Sequence, residues 1–197
     1  MTTTAPQSTS ARRYSSVAIF LHWTIALLIF IQIGLGWYMN EVLPDHSPAQ
    51  EQVETLHISV GLTMLLLVLV RIVWRLTHPA PPLPAGMPTW ERLLAHAVHV
   101  VFYLLMLALP LTGWAMASSH KGGIEFWGLP WPHLPGVEFL TAPENRPLRR
   151  TLQHVHVNLL IWVVFANLAL HVLGGLKHQF DGRPVLWRMI PFLTKPS

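Results

Sequence analysis

The stretch HVHVNLLIWVVFANLALHVL, residues 154–173, places histidines at both ends of an apolar run. An ionisable side chain at membrane depth is costly and marks a pathway, a relay or a ligand. If the run is helical, the 15 steps from His156 to His171 rise ~22 Å at 1.5 Å per residue. At 100° per residue they make four turns plus about 60°, so the two rings share one broad face, most of a membrane apart. His154 lies on a poorly matched face, which favours His156.

Three more apolar stretches accompany this one. They run from Val17 to Tyr38, from Leu56 to Leu76 and from about Leu93 to Ala117, with the quoted run extending from about Leu152 to Leu176. Each exceeds the ~20 residues that cross a hydrocarbon core as helix. Hydrophobic residues make up 52% of the 197 and charged residues 11%, far below the ~25% charged usual for soluble domains. The fold class expected is all-α, an integral membrane four-helix bundle over residues 17–176. A disordered tail, 1–16, precedes it and a cytoplasmic tail, 177–197, follows. The start MTTTAPQSTSARRYSS reads as that tail, because a polar segment leading into a full span lacks the short apolar core and cleavage site of a signal peptide.

Formal charge is +4 and the pI near 10.0, yet the placement of charge speaks against nucleic acid. Nine of the thirteen bases fall on one side: Arg12, Arg13, Arg71, Arg75, Arg92, Lys177, Arg183, Arg188 and Lys195. The first loop on the other side carries Glu41, Asp45, Glu51 and Glu54 without a base. The positive-inside bias therefore puts both termini in the cytoplasm. With no cysteine, disulfides, thiolate ligands and covalent C-x-x-C-H haem attachment are excluded.

The connections differ in kind. HPAPPLPAGMP, residues 78–88, is a proline-rich turn that cannot continue a helix. Ser118–Arg150 is a long outer loop whose Trp127, Trp131 and Phe139 suit the water–lipid boundary. Pro110 and Gly113 are expected to kink the third span.

Six of the twelve histidines (His46, His78, His120, His133, His154, His178) lie in loops or at span edges. The others sort by depth: His57 and His156 on the outer side, His22, His96, His99 and His171 on the inner side. Neutral imidazole is a good iron ligand, and bundles build cofactor sites from side chains on facing helices. A haem between two helices takes one imidazole on each face. Without cysteine it would be haem b, held non-covalently. His57 with His156 makes the outer pair; His171 could pair with His22, His96 or His99, and spacing does not choose. A lone membrane histidine that merely hydrogen-bonds a neighbour is the blander account of each. A non-redox proton or metal transporter is a third, weakened because the spans hold no acidic residue.

The segments RYSSVAIFLHW, TLHISVGLTMLLLVLVRIVWRLTHPAPPLP, LAHAVHVVFYLLMLALPLTGW and LHVLGGLKHQFDGRPVLWRMIP resemble the bacterial cytochrome b561 family from about Arg13 to Pro191. The resemblance implies a multi-pass protein of the bacterial cytoplasmic (inner) membrane with two b haems, exchanging electrons with quinone, ubiquinone being the expected substrate. It implies His22 and His171 as ligands of the inner haem, and His57 and His156 as ligands of the outer one. One departure stands out: family members have the two ligands of this span one residue closer. A π-bulge would absorb the extra residue; otherwise His154 substitutes for His156. His96 and His99 match a histidine pair of the family that is not ligating, open to haem-edge packing, quinone contact or a plain interfacial role. Arg71 and Arg75 read as snorkelling span-end residues or as partners of haem propionates. The function implied is a di-haem conduit between membrane quinone and a periplasmic-side donor, superoxide being the concrete candidate. The competing role is a membrane anchor or electron-transfer subunit of a larger dehydrogenase or hydrogenase.

Overall fold

A computed structural model describes residues 12–84, 86–120 and 122–194. The tail expected at 1–16 falls mostly outside them, as do Lys121 and Lys195. Four helices are long and apolar enough to cross a membrane, so the expected membrane four-helix bundle is what forms.

Local chemistry sets the ends of these helices. Helix α1, Ser16–Glu41, starts where the Ser15 hydroxyl accepts from the Ala18 amide. Helix α2, Pro48–Thr77, opens on Ser47, which accepts from the Gln50 amide, with proline in the first turn. An N-cap serine followed by proline is a strong start, so Glu51 and Glu54 are helical and not part of the loop. Helix α3, Thr89–Ser118, runs through Pro110 without interruption. The fourth span is composite: α4, Arg146–His154, passes through a π-helical segment, Val155–Leu160, into α5, Ile161–Phe180.

Helix α1 packs along α2, α2 along α3, and α3 along α5. A core of Ile25, Met64, Val68 and Met106 lies inside, while Phe20, Leu27, Leu104 and Trp162 stay exposed. Large apolar side chains pointing outward suit a lipid solvent.

The two ends of the bundle are closed differently. At one end the chain's two described termini meet, the Tyr14 amide bonding the Arg188 carbonyl. Arg13 donates to the Ile190 carbonyl at 2.6 Å, Trp23 Nε1 to Met189 at 2.8 Å and Arg188 to Pro82 at 2.7 Å. Residues 188–190 thus strap the starts of α1 and the proline-rich turn together. Buried Glu91 pairs with Lys177 at 2.8 Å and Arg183 at 3.2 Å, which ties α3 to the same strap; an acid desolvated this far needs such partners.

At the other end the long loop folds into a hairpin of β1, Ile124–Phe126, and β2, Leu129–Trp131. Its turn places Trp127 (φ 53°) and Gly128 (φ 81°) in the left-handed region, as a two-residue hairpin turn requires. Tryptophan tolerates this because it is held: its amide donates to Ser59 Oγ and its indole to Thr63 Oγ1. The hairpin therefore lies along α2.

Candidate functional site

The four histidines that the resemblance implies as ligands form two facing pairs. His22 on α1 and His171 on α5 have ring centroids 6.1 Å apart. His57 on α2 and His156 in the π-helical segment stand 6.3 Å apart. With metal–imidazole bonds of about 2 Å and ring nitrogens about 1 Å from their centroids, two imidazoles on opposite sides of one metal stand roughly 6 Å apart. Both pairs match that separation.

The π-helical segment accounts for the extra residue. Its wide turn takes up one position, so His156 reaches His171 with the rotation of 14 residues, four turns less about 40°. Both rings then stay on the bundle-facing side. His154, last residue of α4, is exposed and is not brought to His57.

The surroundings of the loop-end pair fix the ring of His156 and leave that of His57 without a hydrogen-bond partner among the described residues. The Thr112 hydroxyl donates to the Ala108 carbonyl at 2.7 Å and lies 2.8 Å from His156 Nδ1. Its proton being spent, the oxygen accepts from Nδ1–H, which leaves Nε2 unprotonated and available to a metal. Among the described residues neither ring nitrogen of His57 has a hydrogen-bond partner, and its Nδ1 is a buried atom left unpaired. The His57 carbonyl accepts from Gln32 Nε2 at 3.1 Å, and Gly61 leaves room for that amide, a Cβ there meeting it at 2.8 Å.

Two glycines stand behind the rings. A Cβ at Gly113 would lie 3.1 Å from His156 Cε1, and one at Gly36 3.6 Å from His57 Cε1. Spacing arguments missed Thr112, Gln32, Gly36 and Gly113, because their partners lie on other helices. Gly113 was noticed only as part of an expected kink.

At the termini end the pair is more crowded. The His99 ring stands edge-on to His171 with centroids 5.4 Å apart, closer than those of His22 and His171, and Phe102 packs on His171 at the same 5.4 Å centroid separation. His99 Nδ1 is committed to the Ala95 carbonyl and His96 Nδ1 to that of Arg92. His96 is exposed and does not join the pair. Arg71 turns toward α1, 3.3 Å from the Ala18 carbonyl and 3.4 Å from His22 Nδ1. Arg75 is exposed at the end of α2.

The chain matches the family model described as prokaryotic cytochrome b561 over residues 13–192. It is 31% identical to the "Probable superoxide oxidase CybB" of Yersinia pestis, covering 91% of this chain and 97% of that protein. It is 28% identical to "Cytochrome b561 homolog 2" of Escherichia coli (strain K12), covering 90% and 91% respectively. "Cytochrome b561 homolog 1" of the same organism is 24% identical over 91% of this chain and 97% of its own length.

Proposed function

The chain belongs to the prokaryotic cytochrome b561 family, and from that premise we propose that His22 with His171 and His57 with His156 each hold one b haem. It is a membrane haem b electron-transfer protein of the bacterial inner membrane, crossing it several times. The observation that carries the two-haem reading is the pair of centroid separations, 6.1 and 6.3 Å, at two depths of one bundle. Held by such an imidazole pair, a b haem would supply reversible one-electron transfer.

The protein's own part is orientation. Thr112 holds the His156 ring in the tautomer that ligates through Nε2. His22 ligating through Nε2 would carry its proton on Nδ1 and could not accept from Arg71, so Arg71 Nη2 would turn to an anion such as a haem propionate while Nη1 stays on the Ala18 carbonyl. The basic excess at the termini end supports a cytoplasmic placement for it, with the hairpin end in the periplasm. Electrons then pass between membrane quinone and a periplasmic-side donor. Purified protein should contain two haems per chain by pyridine haemochrome assay, all extracted by acid acetone. A stoichiometry of one, or haem retained by the denatured chain, overturns the reading.

The likeness to a probable superoxide oxidase favours superoxide as the donor. The bases at the hairpin end qualify this in a specific way. Arg149 donates to the Leu140 and Ala142 carbonyls and so holds the loop's own turns. Arg146 and Arg150 are exposed, and Arg150 stands six residues before His156, about 9 Å along the helix. A groove nearby is lined instead by Glu51, Glu54 and Glu125, so an anion's approach runs along α4. The double substitution Arg146→Gln and Arg150→Gln should slow quinone-dependent superoxide consumption several-fold at low salt and little at high salt, as electrostatic steering does. Consumption no faster than a haem-free control in the unsubstituted protein sinks the superoxide reading.

A further inference from the structure

The two imidazole pairs sit in unlike electrical surroundings. Beside the termini-end pair, α2 brings in the half-buried Arg71, with Nη2 3.4 Å from His22 Nδ1 and Nη1 3.3 Å from the Ala18 carbonyl. Among the described residues no carboxylate lies in ion-pair reach of Arg71; the buried acid of that end, Glu91, is held by Lys177 and Arg183. At the hairpin end the polar groups around the rings are neutral. Thr112 Oγ1 lies 2.8 Å from His156 Nδ1, and the Gln32 amide donates to the His57 carbonyl at 3.1 Å. The charged groups of the adjoining groove are Glu51, Glu54 and Glu125.

We propose that Arg71 and Thr112 set the order of the two haem potentials, the termini-end site being the higher, and so direct electrons from the hairpin end inward. The inference rests on the two-haem reading above. Oxidising haem iron adds positive charge to its site. A guanidinium beside the termini-end pair opposes that charge, and inside a low-dielectric bundle the opposition is weakly screened. Its sign is the same whether Nη2 faces the imidazole or a propionate, whose negative charge it would offset. The ligands add to this. With Nε2 on the metal, His22 Nδ1–H has one hydrogen-bond neighbour among the described residues, Arg71, which is itself a donor. His156 Nδ1–H instead donates to Thr112. An accepted ring proton raises ligand basicity and stabilises the ferric state. Exposed Glu51, Glu54 and Glu125 act in the same direction, more weakly because water and salt screen them. The step is a transfer of one electron: ferrous iron at the hairpin end becomes ferric, and ferric iron at the termini end becomes ferrous. No bond forms and no proton moves.

The test is a spectroelectrochemical titration of the haem-loaded protein in nanodiscs, each spectral component being assigned by its loss in His57→Ala or His171→Ala. In the unsubstituted protein the termini-end component should be reduced first as the potential is lowered. Arg71→Gln should lower that component alone and cut the equilibrium constant for inward transfer about tenfold, or about 59 mV for one electron. Arg71→Lys keeps a cation and should restore most of the potential. Thr112→Val removes the acceptor; it should raise the hairpin-end potential and cut the same constant severalfold, while Thr112→Ser restores it. If Arg71→Gln loses haem, the order of components in the unsubstituted protein and the two Thr112 variants still decide. Equal potentials, the reverse order, a shift common to both sites, or the same shift in Arg71→Lys as in Arg71→Gln overturns the proposal while two-haem binding stands. Unsubstituted protein carrying a single haem removes the two-haem reading, and the ordering with it.

Discussion

His57→Ala should halve the haem content and disconnect the two sides of the membrane. His57 is the one histidine of α2 that faces His156, and His154 is turned away, so no neighbouring imidazole substitutes. The His22–His171 pair lies about four turns along the bundle and should keep its haem. Reduced-minus-oxidised spectra should lose one component, and an impermeant donor on the hairpin side should no longer reduce quinone. His171→Ala should do the converse, sparing the component lost in His57→Ala. His154→Ala should change neither, since the π-helical turn already delivers His156. Retention of both haems with unaltered spectra in His57→Ala contradicts the pairing.

Gly113→Val should empty the same site without touching a ligand. A Cβ at this position comes within 3.1 Å of His156 Cε1, and the ring cannot drift freely because Thr112 holds its Nδ1. Valine adds two methyls to that approach in a helix where its χ1 is nearly fixed, so the ring must leave its place. Haem content should fall toward one per chain. Gly113→Ala asks only a few tenths of an ångström and should keep the haem with a shifted midpoint potential. Gly36→Ala makes an ordinary 3.6 Å contact with His57 and should be silent. Alanine is favoured over glycine in a helix interior by roughly 1 kcal/mol. A loss at position 113 alone therefore reports steric conflict with the ring and not helix propensity. Full haem content in Gly113→Val would show that His156 is not held where the structure puts it.

The features legible in the sequence are those that depend on one helix at a time. Length and apolarity specify spans, and a histidine's distance from a span end specifies its depth. Depth gave His57 with His156 and left His22, His96 and His99 open as partners of His171; the family resemblance chose His22 and supplied the mismatch of 15 steps where the family has 14. Partners across helices were not legible. Thr112 is one threonine among many until α3 is laid beside the π-helical segment, and Gln32 reads as a stray polar residue until it meets the His57 carbonyl. By sequence Arg149 is one base near the end of the long outer loop; only folding of the loop shows it tying two turns. The strap of residues 188–190 was expected as tail, because nothing in its composition announces the carbonyls that Arg13 and Trp23 seek.

By itself, then, the sequence determined four membrane helices, their shared hand of charge and the depth of each imidazole, since hydrocarbon thickness and a fixed rise per residue leave little freedom. Which imidazole faces which was decided by tertiary structure. Depth is a single coordinate, and pairing also needs rotation about each helix axis and the order of helices around the bundle. The π-helical turn sets the first for His156, and the packing of α1, α2, α3 and α5 sets the second.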